Sequence, residues 1–165
     1  MSLIQKARYF AISHHKDQKY GMHPYMYHLD NVAYVCKECW PIDEKCIAVA
    51  WLHDVIENTE ATFEMVKESF GQEVAENVLA LTSQKDKRRT FETIARNTIS
   101  RRVKLADRFC NMQECIGSKR TRNIKKYFDE YPLFKECMYN EKEQIFWATQ
   151  LEPLFDFLKK EMEND

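Results

Sequence analysis

The sequence predicts an all-α bundle built as one domain. Three observations predict it. Apolar residues recur three and four positions apart through most of the chain, as on one face of a helix. No run of β-branched residues alternates with polar ones between hairpin signals. Only three glycines and four prolines punctuate 165 residues, with no Ser/Gly linker, repeat or low-complexity tract between them, so a single core spanning residues 1–165 is expected.

The elements follow in order. Ser2 and Gln5 read as a capping box, and Leu3, Ala7, Phe10 and Ala11 make one apolar face of a first helix running to about His15 or Gln18. A turn around Tyr20, Gly21 and Pro24 leads into a second helix from about Tyr25 to Cys39, where Leu29, Val32, Ala33 and Cys36 recur at helical spacing. Pro41 and Asp43 open a third, which carries Ile47, Ala48, Ala50, Trp51 and Leu52 and continues through Glu57. Its apolar surface on nearly every side marks a helix at the centre of a bundle. Thr62 caps a short fourth helix that stops at Gly71, and Val74, Val78, Leu79 and Leu81 build a fifth.

Residues 83–92, "SQKDKRRTFE", read as a charged connection. The next helix runs from about Ile99 to Cys115, with Val103, Ala106 and Phe109 as its apolar stripe, and residues 116–124 interrupt it. Pro132 is expected to break the helix that follows. The aromatic-rich "EQIFWATQLEPLFDFLKKE" forms the last.

Twenty-five basic residues stand against 26 acidic ones, so charge gives no case for a dedicated nucleic-acid binder. No apolar segment approaches the ~20 residues of a spanning helix, and "MSLIQKARYF" lacks the pattern of a signal peptide. A cytoplasmic protein is expected. The six cysteines then read as reduced thiols, most of them filling small apolar sites. Cys36 and Cys39 form one CxxC pair, but no second pair stands at zinc-ribbon spacing.

Chemistry concentrates where the third helix ends. His53 and Asp54 follow the apolar run at once, and Glu57 lies four and three residues further on, so all three can face one side of the helix end. A borderline divalent metal accepts such a mixture of imidazole and carboxylate. Two further candidates are His28, beside Leu29 on the inward side of the second helix, and Asp107 in "VKLADRFCNM". Taken singly each has an ordinary explanation, a hydrogen-bonded core histidine or a surface ion pair with Arg108.

Taken in order, "HHKDQKYGMHPYMYHLDNVA", "AVAWLHDVIENTEATFEMVKESFGQEVAENVLALT" and "RRVKLADRFCNM" resemble the HD-domain phosphohydrolases. The resemblance is to the hydrolase module of the RelA/SpoT family and its small single-domain relatives, which degrade guanosine tetra- and pentaphosphate. It covers about Ala11 to Met112. It implies that His28, His53, Asp54 and Asp107 hold one divalent ion, manganese in this family, and that Glu57 and Asn58 stand at the family's catalytic acidic pair. It implies a nucleotide as the small-molecule partner, with Asn111 contacting it. An ion with an open coordination position acidifies water and polarises a phosphoryl oxygen.

The chain departs from the family twice. Asn58 stands where the pair usually has aspartate, and an amide cannot accept a proton at neutral pH. The turn "QKYGMHPY" is one residue shorter, with Tyr20 where an arginine commonly stacks on guanine. Lys19, Tyr20, Lys104, Arg108 and Asn111 are the substrate-side candidates. The basic run Lys85–Arg89 reads as a solvated stretch, and Lys119, Arg120 and Arg122 are further cations near the later interruption. Three functions follow: an alarmone hydrolase that removes a 3′-pyrophosphate, an HD-type nucleotidase for another nucleotide, or a weakened enzyme that serves as a nucleotide-binding regulator.

Overall fold

The computed structural model describes residues 1–118 and 121–163. It is helical, as expected, and the chain groups into two compact units, Met1–Ala106 and Asp107–Asp165.

In the first unit, α1 (Leu3–His15) starts on the expected capping box, with Gln5 N–H donating to Ser2 Oγ at 3.2 Å and Ser2 N–H to Gln5 Oε1 at 2.9 Å. Lys16 ends it at φ 48°, a left-handed conformation that costs a non-glycine residue of order 1 kcal/mol. Its chain reversal leads into a miniature hairpin, β1 (Lys19–Tyr20) against β2 (His23–Pro24), with Tyr20 opposite His23. Gly21 takes φ 61° at its tip, which glycine supplies without a Cβ clash. The turn foreseen from Gly21 and Pro24 is thus a ladder of two-residue strands, too short to leave an alternating pattern.

Helix α2 (Tyr25–Cys39) keeps the expected bounds. Helix α3 (Glu44–Leu52) is capped by Asp43, which accepts from Cys46 N–H at 3.0 Å, and every residue from Cys46 to Leu52 is buried. Both α1 and α2 pack on it, so it is the central helix that its apolar surface foretold; each buried leucine or valine contributes roughly 1.5–3 kcal/mol. α3 does not continue through Glu57. It stops at Leu52, and a separate single turn, α4 (Val55–Asn58), follows.

Thr62 caps α5 (Phe63–Phe70), accepting from Met65 N–H at 3.2 Å, and Gly71 at φ 87° separates it from α6 (Gln72–Leu81). The stretch read as a charged connection is half helix. Asp86 accepts from Arg89 N–H at 3.0 Å and starts α7 (Lys87–Ala95), which buries Thr90, Phe91 and Ile94. Asp86 is an N-cap rather than one more loop charge, and Lys85, Lys87, Arg88 and Arg89 are exposed. Asn77 Oδ1 accepts from Ser100 N–H at 3.0 Å, both residues buried, and ties the start of α8 (Thr98–Gly117) to α6.

In the second unit α8 runs to Gly117 and α9 (Thr121–Met138) begins four residues on, so the expected interruption over 116–124 is much shorter. Lys119 and Arg120 lie outside the described residues, and Arg122 is exposed. Pro132 sits inside α9 without ending it. It removes one backbone bond, a cost of about 3 kcal/mol; burial of Tyr131, Phe134 and Met138 on either side holds the helix through it. The last segment is α10 (Gln144–Phe146), a π-helical turn over Trp147–Leu151, and α11 (Glu152–Glu163). The π turn ends two residues before Pro153, whose ring would crowd the carbonyl four residues back in a tight α-helix. Among the described residues no helix is long and apolar enough to cross a membrane.

Candidate metal centre

His28 and His53 come from different helices because each element has its own reason to bury them. On α2, His28 lies beside Leu29 and one turn after Tyr25, on the face turned to α3. His53 follows the last residue of α3, and its Nδ1 lies 2.7 Å from the Ala50 carbonyl. That carbonyl is the one a continuing helix would offer to the Asp54 N–H. The imidazole takes part of that role, which is why the helix stops where the sequence reading carried it on. Asp54 has φ −104° and ψ −1°, and α4 starts in a new direction after it.

Both histidines are almost fully enclosed. His53 donates through Nδ1 to Ala50, so its Nε2 carries the lone pair. That atom lies 3.3 Å from His28 Nε2 and 3.1 Å from Asp54 Oδ2, and His28 Nε2 lies 3.8 Å from the same Asp54 oxygen. Asp107 is buried on α8, where the second unit begins. Ligands at about 2.1 Å from one ion stand about 3.0–3.4 Å apart at ordinary coordination angles. The 3.3 Å and 3.1 Å separations fit, and the mixture of imidazole nitrogen and carboxylate oxygen suits a divalent metal of borderline softness.

Tyr25 and His15, which the sequence reading did not single out, stand beside these groups. Tyr25 donates its hydroxyl to Asp54 Oδ2 and accepts from Asn58 Nδ2 at 3.1 Å. His15 stacks on the Tyr25 ring at 4.6 Å, with its Nδ1 2.8 Å from Gln18 Oε1. Burial holds the His15 pKa below the ordinary imidazole value, with the Gln18 bond partly opposing it. Asn111 Nδ2 donates to Asp107 Oδ1 at 2.5 Å, one turn along α8. Tyr25 stands three residues before His28, a spacing that puts both on one helix face; that was the available signal.

The remaining candidates divide. Glu57 is exposed at the end of α4, its Oε1 3.4 Å from Ser83 N–H. Asn58 is exposed beside it, its amide turned to Tyr25. Tyr20 stacks on His28 at 4.6 Å, Lys19 is exposed on β1, and Lys104 is half-buried on α8. Arg108 is buried in the second unit, 2.9 Å from Glu130 Oε2 and lying over the rings of Tyr127 and Phe134.

The family model described as HD domain matches residues 7–102. The chain belongs to the HD domain family. The HD domain is 30% identical over 134 residues to guanosine-3′,5′-bis(diphosphate) 3′-pyrophosphohydrolase MESH1 of Drosophila melanogaster, covering 75% of each protein. It is 33% identical over 148 residues to GTP pyrophosphokinase rsh of Brucella melitensis and 41% identical over 80 residues to guanosine-3′,5′-bis(diphosphate) 3′-pyrophosphohydrolase of Aquifex aeolicus. Those matches take in 79% and 48% of this chain but span only 20% and 11% of the longer relatives. A solved structure described as a metazoan ortholog of SpoT that hydrolyzes ppGpp superposes with a TM-score of 0.76 over 98% of this chain and 96% of that one, at 24% identity. This likeness shows the fold.

Proposed function

We propose that this HD domain is a manganese-dependent phosphohydrolase that removes the 3′-pyrophosphate from guanosine tetra- or pentaphosphate in the cytoplasm. The observation that carries the reading is the convergence of His28 Nε2, His53 Nε2 and Asp54 Oδ2 within 3.8 Å, with the Glu57 carboxylate exposed one helical turn away. The match to MESH1 over three quarters of each protein supports the alarmone as substrate.

The proposed ligands are His28, His53, Asp54 and Asp107. An ion held there supplies Lewis-acid polarisation of a phosphoryl oxygen and a more acidic water. Ala50 keeps the His53 proton on Nδ1, so that Nε2 presents its lone pair. Tyr25 and Asn111 hold carboxylate oxygens of Asp54 and Asp107 by donating to them. Glu57 orients the attacking water and takes its proton. The water oxygen bonds to the phosphorus attached to the ribose 3′ oxygen, the P–O3′ bond breaks, and the 3′ oxygen regains a proton as pyrophosphate leaves. Asn58 has no part in that transfer, since its amide is neutral.

One observation favours a second reading. Tyr20, in the turn where the resembled family commonly carries an arginine, spends a ring face on His28, which leaves room for a nucleotide other than guanine. Purified protein with Mn2+ is assayed against a nucleotide panel with pyrophosphate and orthophosphate scored separately. Pyrophosphate from guanosine tetraphosphate is the expected product. Orthophosphate from a nucleoside monophosphate overturns the alarmone reading in favour of a nucleotidase.

A further inference from the structure

Asn58 stands where the resembled family carries a carboxylate, and the reaction as described makes no use of its amide. Its hydrogen bonding does. Asn58 Nδ2 lies 3.1 Å from the Tyr25 hydroxyl oxygen, and that hydroxyl donates to Asp54 Oδ2. Proton count fixes both directions. A carboxylate only accepts, so the single hydroxyl proton of Tyr25 goes to Asp54, and the Tyr25 oxygen is left to accept. Residue 58 must then offer a donor, and an amide NH2 is one. A carboxylate there would set two acceptors against one proton.

The oxygen at the end of this chain matters. Asp54 Oδ2 is the atom 3.1 Å from His53 Nε2 and 3.8 Å from His28 Nε2. Tyr25 is itself held by burial, by the His15 ring stacked at 4.6 Å, and by the Tyr20 ring edge at 6.2 Å. By donating to the hydroxyl oxygen, the Asn58 amide favours the O–H rotation that points at Asp54. We infer that Asn58 is a positioning residue that acts through Tyr25 to hold Asp54 Oδ2 toward the paired imidazoles. The asparagine is on this account a working part of the site, fitted to Tyr25. The inference rests on the metal reading of this cluster given above.

The test is a double-mutant cycle read as Mn2+ affinity, with free ion measured by electron paramagnetic resonance, on the whole protein. Tyr25→Phe weakens Mn2+ binding by about 10-fold or more, the usual effect of removing a group that orients a ligand. Asn58→Leu weakens it several-fold, and the double variant is no weaker than Tyr25→Phe alone. Asn58→Asp compared in the two backgrounds separates added charge, which acts in both, from competition for the hydroxyl proton, which acts only where Tyr25 is present.

A second readout needs no metal. In the metal-free protein the Tyr25 hydroxyl gives a downfield proton resonance, identified by its loss in Tyr25→Phe and expected to move or vanish in Asn58→Leu. An unmoved resonance, or an Asn58→Leu effect on Mn2+ that is the same in both backgrounds, overturns the inference while leaving the metal site intact. A wild-type protein that takes up no Mn2+ overturns the metal reading and this inference with it.

Discussion

His53 in the first unit and Arg108 in the second are both polar and almost equally enclosed, at 2% and 4% exposure, but their surroundings differ in kind. Arg108 has its charge answered locally. Glu130 lies 2.9 Å away, and the rings of Tyr127 and Phe134 lie 4.7 Å and 4.4 Å from the guanidinium carbon. Opposite charge and ring faces close around it, as a buried cation requires. His53, with its Nδ1 donating to Ala50, turns its Nε2 to a second imidazole and a carboxylate, a mixture of groups that a divalent cation accepts. Two equally buried polar groups therefore differ in kind: the cation of Arg108 is paired with a carboxylate and ring faces, whereas the His53 nitrogen faces groups that suit a divalent ion.

That comparison can be broken most directly at His53. His53→Ala is expected to abolish Mn2+ uptake and nucleotide hydrolysis together while the protein stays folded, measured by elemental analysis beside circular dichroism. Retained metal would mean that the imidazole pair is ordinary core packing. Glu57→Gln sharpens it next. The metal should remain and turnover should fall by roughly 10²–10⁴-fold, the contribution of a positioned acid–base group. Loss of metal instead would make Glu57 a ligand.

Arg108→Met tests the other side. It should lower unfolding free energy by about 3 kcal/mol, since it leaves the Glu130 carboxylate without its partner, and the folded fraction should keep its KM for the nucleotide. Pairing it with Glu130→Met should recover part of the loss. A large rise in KM with unchanged stability would support the phosphate-binding role that the sequence suggested for Arg108.

The smallest effect expected is one of pH. Burial lowers the His15 pKa from 6.5, so below pH 6.5 the unfolded chain takes up a proton before the folded one does. Stability is then lost as pH falls from 6.5 toward the lowered folded value and is constant again below it. Denaturant midpoints of the metal-free protein at neutral and acid pH should show this loss, and His15→Gln should reduce it. An unchanged profile would place His15 among groups whose protonation folding does not alter.

Much of the first unit was legible in the residues. α2 kept its predicted ends because the period of Leu29, Val32, Ala33 and Cys36 and the flanking prolines act locally. α3 was recognisable as central because no face of it could be left in water. Pro132 and the charged stretch that holds the start of α7 were misread for one shared reason. Local propensity was outweighed in α9 by burial of Tyr131, Phe134 and Met138, and in α7 by the Asp86 cap with burial of Phe91 and Ile94. The stop after Leu52 was hidden too, since it depends on where a side chain hydrogen-bonds.

The sequence by itself determined which groups with affinity for a metal the chain carries and on which helices, because residue type and helical period are local properties. Only the tertiary structure decided which atoms meet. It paired Arg108 with Glu130, brought His28 Nε2 to His53 Nε2, and joined Asn58 to Asp54 through Tyr25, residues 33 and 29 positions apart in the two bonds of that chain. Hydrogen-bond direction and ligand convergence are set by distances of a few ångströms between elements, and no spacing along the chain encodes them.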